Sequence, residues 1–176
     1  TRLDRAAFPT EWPPTNFSRE LDNKMAYYIV ASDAPLESAG NRPPPPAEKV
    51  SFFYRLKQFF IGDPDVWDKE EAGTGQNIIG YAGIWILADE AHITSIATVK
   101  SQQRQGIGEA LLIAAMEMAI ARKSRVVTLE VRVSNTPAQN LYTKFGFHKE
   151  GVRKGYYLDN HEDALIMTTD YIGDAG

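Results

Sequence analysis

From Ile96 to Leu112 the sequence reads IATVKSQQRQGIGEALL, which is a run of β-formers, a polar turn and the start of an apolar helix. The helical pattern continues over residues 108–123, which are rich in alanine, leucine, isoleucine and methionine. Backbone N–H groups at the start of a helix have no partner within it and point outward, where the helix dipole favours an anion. The stretch therefore predicts a strand, a turn and a helix that together can bind a phosphate group.

Two interpretations fit the glycines of this turn. Gly106 and Gly108 let the main chain approach phosphate oxygens without a Cβ in the way, and Arg104 adds a positive charge. A tight strand-to-helix turn also requires glycine for purely steric reasons. The loop pattern Gly-x-x-x-x-Gly-Lys-Ser/Thr is absent, and the third glycine of a dinucleotide-binding turn is missing. Both of those nucleotide-binding classes are therefore excluded.

Hydrophobic periodicity predicts the elements on either side of this stretch. Strands are predicted over residues 26–31, 77–87, 91–99, 126–133, 147–153 and 164–171. Helices are predicted over residues 17–24, 48–61, 108–123 and 137–145. The second and third strands are separated by three residues, a spacing typical of an antiparallel hairpin.

The strand at residues 126–133 divides its side chains between two faces. One face carries Val127, Leu129, Val131 and Val133. The other face carries Val126, Thr128, Glu130 and Arg132. The next helix is predicted to begin after Asn135 or Thr136 and to end at Gly146.

Residues 33–76 differ in character from the rest of the chain. The four consecutive prolines at 43–46 lack N–H groups and favour an extended path, so the span is interpreted as an insertion into a single domain over residues 1–176. Within it, one face of the predicted helix 48–61 carries Val50, Phe53, Leu56 and Phe60. This apolar stripe either packs on the core or binds a partner.

The composition is that of a globular protein, with 43% hydrophobic and 24% charged residues among 176. The absence of cysteine excludes disulfides, thiolate nucleophiles and cysteine-ligated metals. A net charge of -4 argues against direct nucleic-acid binding and favours cationic partners. The lack of cysteine also fits a cytoplasmic protein, and no membrane span is expected because no run of about 18 apolar residues occurs.

Two groups of residues carry a resemblance to a known family. The first is Gln103-x-x-Gly106-x-Gly108, which follows Ile96-Ala97-Thr98. The second runs from Leu129-Glu130-Val131-Arg132 through Ser134-Asn135, Ala138 and Leu141-Tyr142 to Gly146-Phe147. Together they resemble the GNAT superfamily of acetyltransferases, and within it the bacterial ribosomal-protein-alanine N-acetyltransferases of the RimI type. The likeness is dense over residues 77–168, loose at the N-terminal helix and first strand, and lacking over 33–76.

The resemblance implies a GNAT fold of the α/β (α+β) class, in which helices flank a central, mixed, mostly antiparallel, twisted sheet. It also implies acetyl-CoA as cosubstrate. The CoA pyrophosphate is expected on the backbone of Arg104, Gln105, Gly106, Ile107, Gly108 and Glu109. The pantetheine arm is expected along Ile96, Ala97 and Thr98, with a further contact from Asn135. The family more often has Val at the position of Thr98. Because the expected contact with the pantetheine arm is made by the backbone, this difference in side chain should be tolerated.

Two catalytic roles follow from the same resemblance. Glu130 corresponds to a general base, and an α-amino group with a pKa of about 7.7–8.0 yields its proton to such a base through water. Tyr142 corresponds to a general acid for the CoA thiolate, and a main-chain N–H near Thr98 to the oxyanion donor. Without the family pattern, Glu130 is a solvated residue on a polar strand face and Tyr142 a half-buried helix tyrosine.

Tyr156 and Tyr157 lie in a glycine-flanked segment before the last strand, where this family shapes the groove for the acceptor peptide. They are therefore predicted to bind the substrate, and packing in the core or a hairpin is the alternative. No metal site is expected, because the segment His161-Glu162-Asp163 has no ligand-like spacing with His92 and His148.

The predicted activity is transfer of an acetyl group from acetyl-CoA to an amine, and most directly to the N-terminal alanine of a ribosomal protein. The partner is then an acceptor protein or peptide, with no direct contact to nucleic acid or membrane, and the protein is a monomer or weak homodimer. Two alternatives stay open. One is a small-molecule amine or a lysine as acceptor, and the other is an acyl-CoA-binding module without enzymatic activity.

Overall fold

The computed structural model describes residues 22–33, 60–61 and 78–172, which form a seven-stranded sheet and two α-helices. The strands are β1 (Ala26–Ser32), β2 (Phe60–Ile61), β3 (Ile78–Leu87), β4 (Glu90–Thr98), β5 (Val126–Arg132), β6 (Phe147–Arg153) and β7 (Ala164–Thr169). The helices are α1 (Ile107–Ala121) and α2 (Thr136–Lys144), and a short 3-10 helix over Lys100–Gln102 precedes α1. The strand order across the sheet is β2-β1-β3-β4-β5-β7-β6.

Neighbouring strands run antiparallel throughout this sheet except for β4 and β5, which are parallel. A parallel pair needs a crossover between its strands, and α1 provides it. The predicted fold class, a mixed and mostly antiparallel sheet flanked by helices, is therefore confirmed.

The parallel pair β4–β5 separates toward its C-terminal ends. Its register begins with Glu90 opposite Val126 and ends with Ile93 opposite Leu129. From there β5 continues beside β7, and β4 continues beside β3 as far as Thr98. The divergence leaves a gap in the sheet between the second halves of β4 and β5, which is called the β4–β5 gap below.

A bulge in β4 marks the start of this gap. Gly83 pairs with Ser95 whereas Ile84 pairs with Ile93, so Thr94 is an additional residue on β4. A Cβ on Gly83 would lie 2.7 Å from Thr94 Oγ1 and 3.0 Å from Ser95 Oγ. Such contacts are too short, so a larger residue opposite the bulge would force the neighbouring Thr94 side chain to shift.

The core lies where α1 packs across β1, β3, β4 and β5. Leu111 and Leu112 of the helix are fully buried there. Gly80 of β3 permits the close approach of α1, because a Cβ at that position would lie 3.0 Å from both Ala97 O and Leu111 Cδ1. Packing at Gly80 therefore fixes the height of the N-terminal half of α1 above the sheet.

Most predicted elements are confirmed with shifts of one or two residues at their ends. The predicted helix 108–123 is observed as α1, and the predicted helix 137–145 as α2, with Asn135 as its N-cap and Gly146 at φ 85° after its end. In β5 the residues Val127, Leu129 and Val131 are buried as one face. Val133, which was predicted to share that face, lies beyond the end of β5 and is 42% exposed.

Two helical predictions are wrong where the structure describes them. Residues 22–24 form a turn instead of the end of a helix, and Asn23 Oδ1 accepts a hydrogen bond from the Met25 N–H at 3.0 Å. Phe60–Ile61 forms the edge strand β2, because its backbone pairs with Ile29 and Val30 of β1. The remainder of the predicted helices 17–24 and 48–61, and of the insertion at 33–76, lies outside the described residues. Within the described part of the chain, no helix is long and apolar enough to cross a membrane.

Candidate active site

Glu130 lies on the polar face of β5 beside the β4–β5 gap, and its side chain is only 7% exposed. Its two carboxylate oxygens have different partners. Oε2 lies 3.0 Å from His92 Nε2, and Oε1 lies 3.2 Å from a guanidinium nitrogen of Arg153. Burial raises the pKa of Glu130, but the hydrogen bond and charge of His92, together with the charge of Arg153, lower it further than burial raises it. The carboxylate is consequently ionised at neutral pH, as a general base requires.

His92 connects Glu130 to two further polar side chains. Its Nδ1 atom lies 2.9 Å from the hydroxyl of Thr128, which donates in turn to Glu90 Oε1 at 2.9 Å. The parallel register brings them together, since His92 lies opposite Thr128 and Glu90 opposite Val126. His92 and Thr128 were not among the predicted site residues, because the register of two strands distant in sequence brings them together.

Tyr142 lies on α2 with its side chain packed against Phe147, the ring centroids being 5.8 Å apart. The residue is only 9% exposed, and burial raises the pKa of its hydroxyl to about 12. The phenol therefore stays protonated at any physiological pH and can donate a hydrogen bond. Since a free thiol has a pKa of about 8.5, complete transfer of the phenolic proton to a thiolate is unfavourable at this pKa.

Tyr156 and Tyr157 pack edge to face, with ring centroids 5.2 Å apart at 89°. The guanidinium of Arg153 lies 5.8 Å from the centre of the Tyr156 ring. Burial raises the pKa of Tyr156, and the negative charge of Glu130 adds to that increase. The pKa of Tyr157 is likewise raised by burial, with smaller contributions from Tyr142 and Glu130. The predicted catalytic and acceptor-binding residues thus lie within electrostatic reach of one another.

Arg132 organises the segment that carries these tyrosines. Its guanidinium lies 3.8 Å from the centre of the Tyr157 ring and donates to Asp159 at 2.7 Å and to Glu162 at 3.1 Å. The other oxygen of Glu162 accepts the Ser134 N–H at 2.8 Å. Arg132 and Glu162 were not among the predicted site residues, because these contacts join β5 to a distant loop. The segment between β6 and β7 is therefore fixed to the end of β5.

The glycine-rich turn precedes α1 as predicted. Gly106 is the N-cap of α1 with φ 84°, and no side chain hydrogen-bonds to this helix end as a cap. Arg104 also has a positive φ of 64°. A Cβ on Gly108 would have no described atom within 4 Å, and its φ is not in the left-handed region. Steric demands of the turn account for Gly106 but not for Gly108, so the open space there favours close approach of a ligand.

The remaining predicted cofactor residues flank this turn and the β4–β5 gap. Ile96, Ala97 and Thr98 pair with β3 on one side, and their other edge borders the gap. Asn135 caps α2 by accepting the Ala138 N–H at 3.2 Å, so its carbonyl oxygen is engaged within the protein. Glu109 forms an ion pair with Lys144 at 2.6 Å, which joins the first turn of α1 to the last residue of α2. Gln105 lies in the turn, with its side-chain amide 3.4 Å from the Ser101 carbonyl, and Ile107 begins α1.

Comparison with known proteins identifies the class to which this fold and site belong. Residues 3–147 match the acetyltransferase (GNAT) family, and the chain belongs to that family. A protein of Bacillus subtilis, provisionally assigned as a ribosomal protein bS18-alanine N-acetyltransferase, is 52% identical over 122 residues, which are 69% of this chain and 78% of that protein. The predicted family and the predicted enzyme class, a GNAT N-acetyltransferase, are therefore confirmed.

Two further relatives are similar over a smaller share of their length. An N-alpha-acetyltransferase of Sulfurisphaera tokodaii is 48% identical over 82 residues, which are 46% of this chain and 48% of that protein. The crystal structure of the ribosomal-protein-S18-alanine N-acetyltransferase of Escherichia coli aligns with a TM-score of 0.53 and 36% identity, covering 60% of this chain and 68% of that chain. The chain thus spans about half of the archaeal relative and two thirds of the E. coli enzyme.

Proposed function

We propose that the protein transfers an acetyl group from acetyl-CoA to the N-terminal α-amino group of a protein, with the alanine of a small-subunit ribosomal protein as the acceptor. The names of the B. subtilis and E. coli relatives support this acceptor, since both refer to the alanine of ribosomal protein S18. Such a protein is made in the cytoplasm, where we propose that the enzyme acts. The observation that carries the proposal is the buried, ionised carboxylate of Glu130 beside the β4–β5 gap.

The turn before α1 is the proposed site for the CoA pyrophosphate. The N-terminal end of α1 has no side-chain cap, so the backbone N–H groups of Ile107, Gly108 and Glu109 are suited to bind an anion. Gly108 supports this assignment because its surroundings leave room for phosphate oxygens. The pantetheine arm would then follow Ile96 to Thr98 along the β4–β5 gap and bring the thioester toward Glu130.

The acceptor amine is activated by Glu130 in this proposal. The carboxylate takes a proton from the ammonium group through water, and the nitrogen then attacks the thioester carbon. A main-chain N–H near Thr98 stabilises the oxyanion of the tetrahedral intermediate. The attacking nitrogen of the tetrahedral intermediate gives up its second proton to water as the C–S bond breaks, and the CoA thiolate leaves beside Tyr142. The raised pKa of Tyr142 favours a hydrogen bond to the departing sulfur over complete proton transfer.

Tyr156 and Tyr157 are the proposed wall of the acceptor groove. Their edge-to-face packing and the contacts of Arg132 support a rigid surface next to Glu130. A rigid wall near the reacting amine suits an acceptor whose first residue is small, as alanine is.

The test is a CoA-release assay with peptides that differ only in their first residue. We expect the highest kcat/KM for a peptide that begins with alanine, and no reaction of a peptide whose α-amine is blocked and whose lysines are free. Glu130→Gln should lower kcat by about 10²- to 10⁴-fold without changing the KM for acetyl-CoA. Preference for a free lysine or a small amine would contradict the proposed acceptor, and turnover of no amine would contradict the enzymatic proposal.

A further inference from the structure

The two partners of the Glu130 carboxylate differ in how firmly the protein holds them. His92 faces Oε2 from β4, its side chain is 22% exposed, and its second ring nitrogen lies 2.9 Å from the Thr128 hydroxyl. Arg153 faces Oε1 from β6 at 3.2 Å, and its side chain is 55% exposed. The imidazole is thus held at both ring nitrogens, whereas more than half of the arginine side chain faces solvent.

Arg153 reaches Glu130 from two strands away. Arg153 of β6 and Arg132 of β5 both lie opposite Ala164 of β7, so their side chains share the face of the sheet that carries Glu130. Two strand spacings are about 10 Å, a distance that only a long side chain spans. The small, buried Ala164 lies between them and presents no long side chain to that crossing. The guanidinium is therefore placed by a long side chain that is anchored only at its two ends.

Tyr156 gives the same guanidinium a second contact. The guanidinium carbon lies 5.8 Å from the centre of the Tyr156 ring, close to the outer limit of about 6 Å for a cation–π interaction. A rotation of the Arg153 side chain toward the ring strengthens this contact while the one to Glu130 is given up. Because Tyr156 belongs to the proposed acceptor wall, the guanidinium stays beside the acceptor site after that rotation.

We propose, on the basis of the proposed role of Glu130 as general base, that Arg153 occupies the place of the acceptor ammonium group in the free enzyme and leaves it when the acceptor binds. With Arg153 in place the Glu130 side chain is only 7% exposed, so the amine and its bridging water reach Oε1 once the guanidinium has moved. Oε2 stays bonded to His92, and Oε1 is the oxygen that takes the proton. One cation replaces another, so the carboxylate keeps an ion pair and the acceptor binds in its ammonium form.

Arg153 then competes with the acceptor for Glu130. The apparent affinity for a ligand is reduced by the fraction of molecules in which its site is open. If the guanidinium occupies Oε1 in about four molecules out of five, the apparent Kd of the acceptor is raised about fivefold.

Three substitutions separate this competition from structural support. Arg153→Ala removes the guanidinium and leaves a space that a free guanidinium ion can fill. Arg153→Lys keeps a long side chain with a positive charge. Arg125→Ala, just before the start of β5, is the matched control. Arg125 also pairs with a carboxylate, at 3.7 Å from Asp89, and also lies 5.8 Å from a tyrosine ring, that of Tyr171.

The experiment measures the Kd of an alanine-first peptide by calorimetry, with the protein saturated with CoA so that no reaction occurs. It is done at about pH 7, where an α-amino group is mostly protonated. For Arg153→Ala we expect this Kd, and the KM for the peptide with acetyl-CoA, to fall about fivefold, and the KM for acetyl-CoA to stay unchanged. Arg153→Lys should fall by less, and Arg125→Ala should match the wild-type protein.

Free guanidinium tests whether the vacated place is a cation site. Guanidinium chloride at millimolar concentration should inhibit Arg153→Ala competitively with the peptide, and more strongly than it inhibits the wild-type protein or Arg125→Ala. Sodium chloride at the same concentration is the reference for ionic strength. The comparison is made within one variant, so it does not depend on how that variant's stability differs from the wild type.

Unchanged or weaker peptide binding by Arg153→Ala would overturn the inference, and weaker binding would make Arg153 a ligand of the acceptor instead. Tighter binding without competition by guanidinium would also overturn it, because the gain would then come from removal of a positive charge and not from opening Oε1. Failure of the proposed function looks different: the wild-type protein itself would then bind no CoA or acetylate no amine.

Discussion

His92 on β4 and Glu130 on β5 lie within hydrogen-bonding distance, with Nε2 3.0 Å from Oε2, although their strands have no further register pairs beyond Ile93 and Leu129. The contact therefore spans the point where the sheet opens. Together with Arg153, it opposes the effect of burial, which by itself raises the pKa of the Glu130 carboxyl. The same imidazole therefore contacts the carboxylate and helps to keep it ionised.

The first prediction concerns the pH dependence of kcat. Replacing His92 with Gln removes its charge while leaving the burial of Glu130, so the pKa of Glu130 should rise. A base with a raised pKa becomes protonated at a higher pH. In a plot of kcat against pH, the decrease on the acid side should therefore begin at a higher pH than in the wild-type protein. The control is His148→Gln, at a histidine on β6 whose side chain is 48% exposed. An unchanged acid limb in His92→Gln would contradict the assigned cause of the shift.

The second prediction concerns stability in acid. Hydrogen bonds from Ser134 and Arg132 lower the pKa of Glu162 from 4.5 to about 2. A folded-state pKa below the unfolded value means that this stabilisation is complete above pH 4.5 and is lost as the pH falls toward about 2. Thermal unfolding should therefore give Glu162→Gln a lower Tm than the wild-type protein at neutral pH, with the two curves converging below pH 4.5. Glu150→Gln, at a side chain that is 66% exposed, should follow the wild-type curve throughout.

The third prediction separates the acceptor groove from the cofactor site. Arg132→Lys keeps the positive charge but removes the planar guanidinium that contacts Asp159, Glu162 and the Tyr157 ring. These contacts hold Tyr157 in the proposed acceptor groove, and hydrogen bonds to charged groups contribute about 1.5–3 kcal/mol each. Since about 1.4 kcal/mol corresponds to a factor of ten, we expect the KM for the acceptor peptide to rise about tenfold. The KM for acetyl-CoA should not change.

Arg125→Lys provides the control for that substitution. Arg125 also pairs with an acidic side chain, Asp89 at 3.7 Å, and lies 5.8 Å from the Tyr171 ring, but both arginine and aspartate side chains are 64% exposed. It should leave both KM values as they are. An equal rise in the two KM values for Arg132→Lys would indicate a general loss of structure.

The fourth prediction compares two glycines with opposite surroundings. Gly108 lies in the first turn of α1 with open space around it, so alanine there should fold normally and stabilise the helix by up to about 1 kcal/mol. The same methyl group would occupy the proposed phosphate site and raise the KM for acetyl-CoA. Alanine at Gly80 should instead lower the Tm, since its Cβ would lie 3.0 Å from the Ala97 carbonyl oxygen. A wild-type KM for acetyl-CoA in Gly108→Ala would contradict the assignment of this turn.

Local patterns in the sequence predicted the elements that the structure confirms. The helix α1 and the buried face of β5 follow from periodicities that one short segment contains. Phe60–Ile61 was misassigned to a helix because its strand pairing is decided by Ile29 and Val30, which lie far away in the sequence. Tertiary pairing therefore overrode a local apolar pattern.

The same limit applies to the candidate site. Glu130 and Tyr142 were predicted from a sequence resemblance, but the partners of Glu130 depend on sheet register. His92 is brought beside it by the pairing of β4 with β5, and Arg153 by the position of β6 beyond β7. No single segment contains that information, so the partners of Glu130 and the direction of its pKa shift could not be predicted from the sequence.

The last prediction concerns when the acceptor is modified. The chain carries a net charge of -4, whereas ribosomal proteins are basic and assembled ribosomal subunits expose polyanionic RNA. Opposite charge favours encounter with the free protein, and like charge opposes encounter with the assembled subunit. Acetylation of the free protein should therefore be faster, and its advantage should shrink as added salt screens these charges. The rates are compared by mass spectrometry of the acceptor N-terminus, and equal rates at low salt on both forms would rule out this order of events.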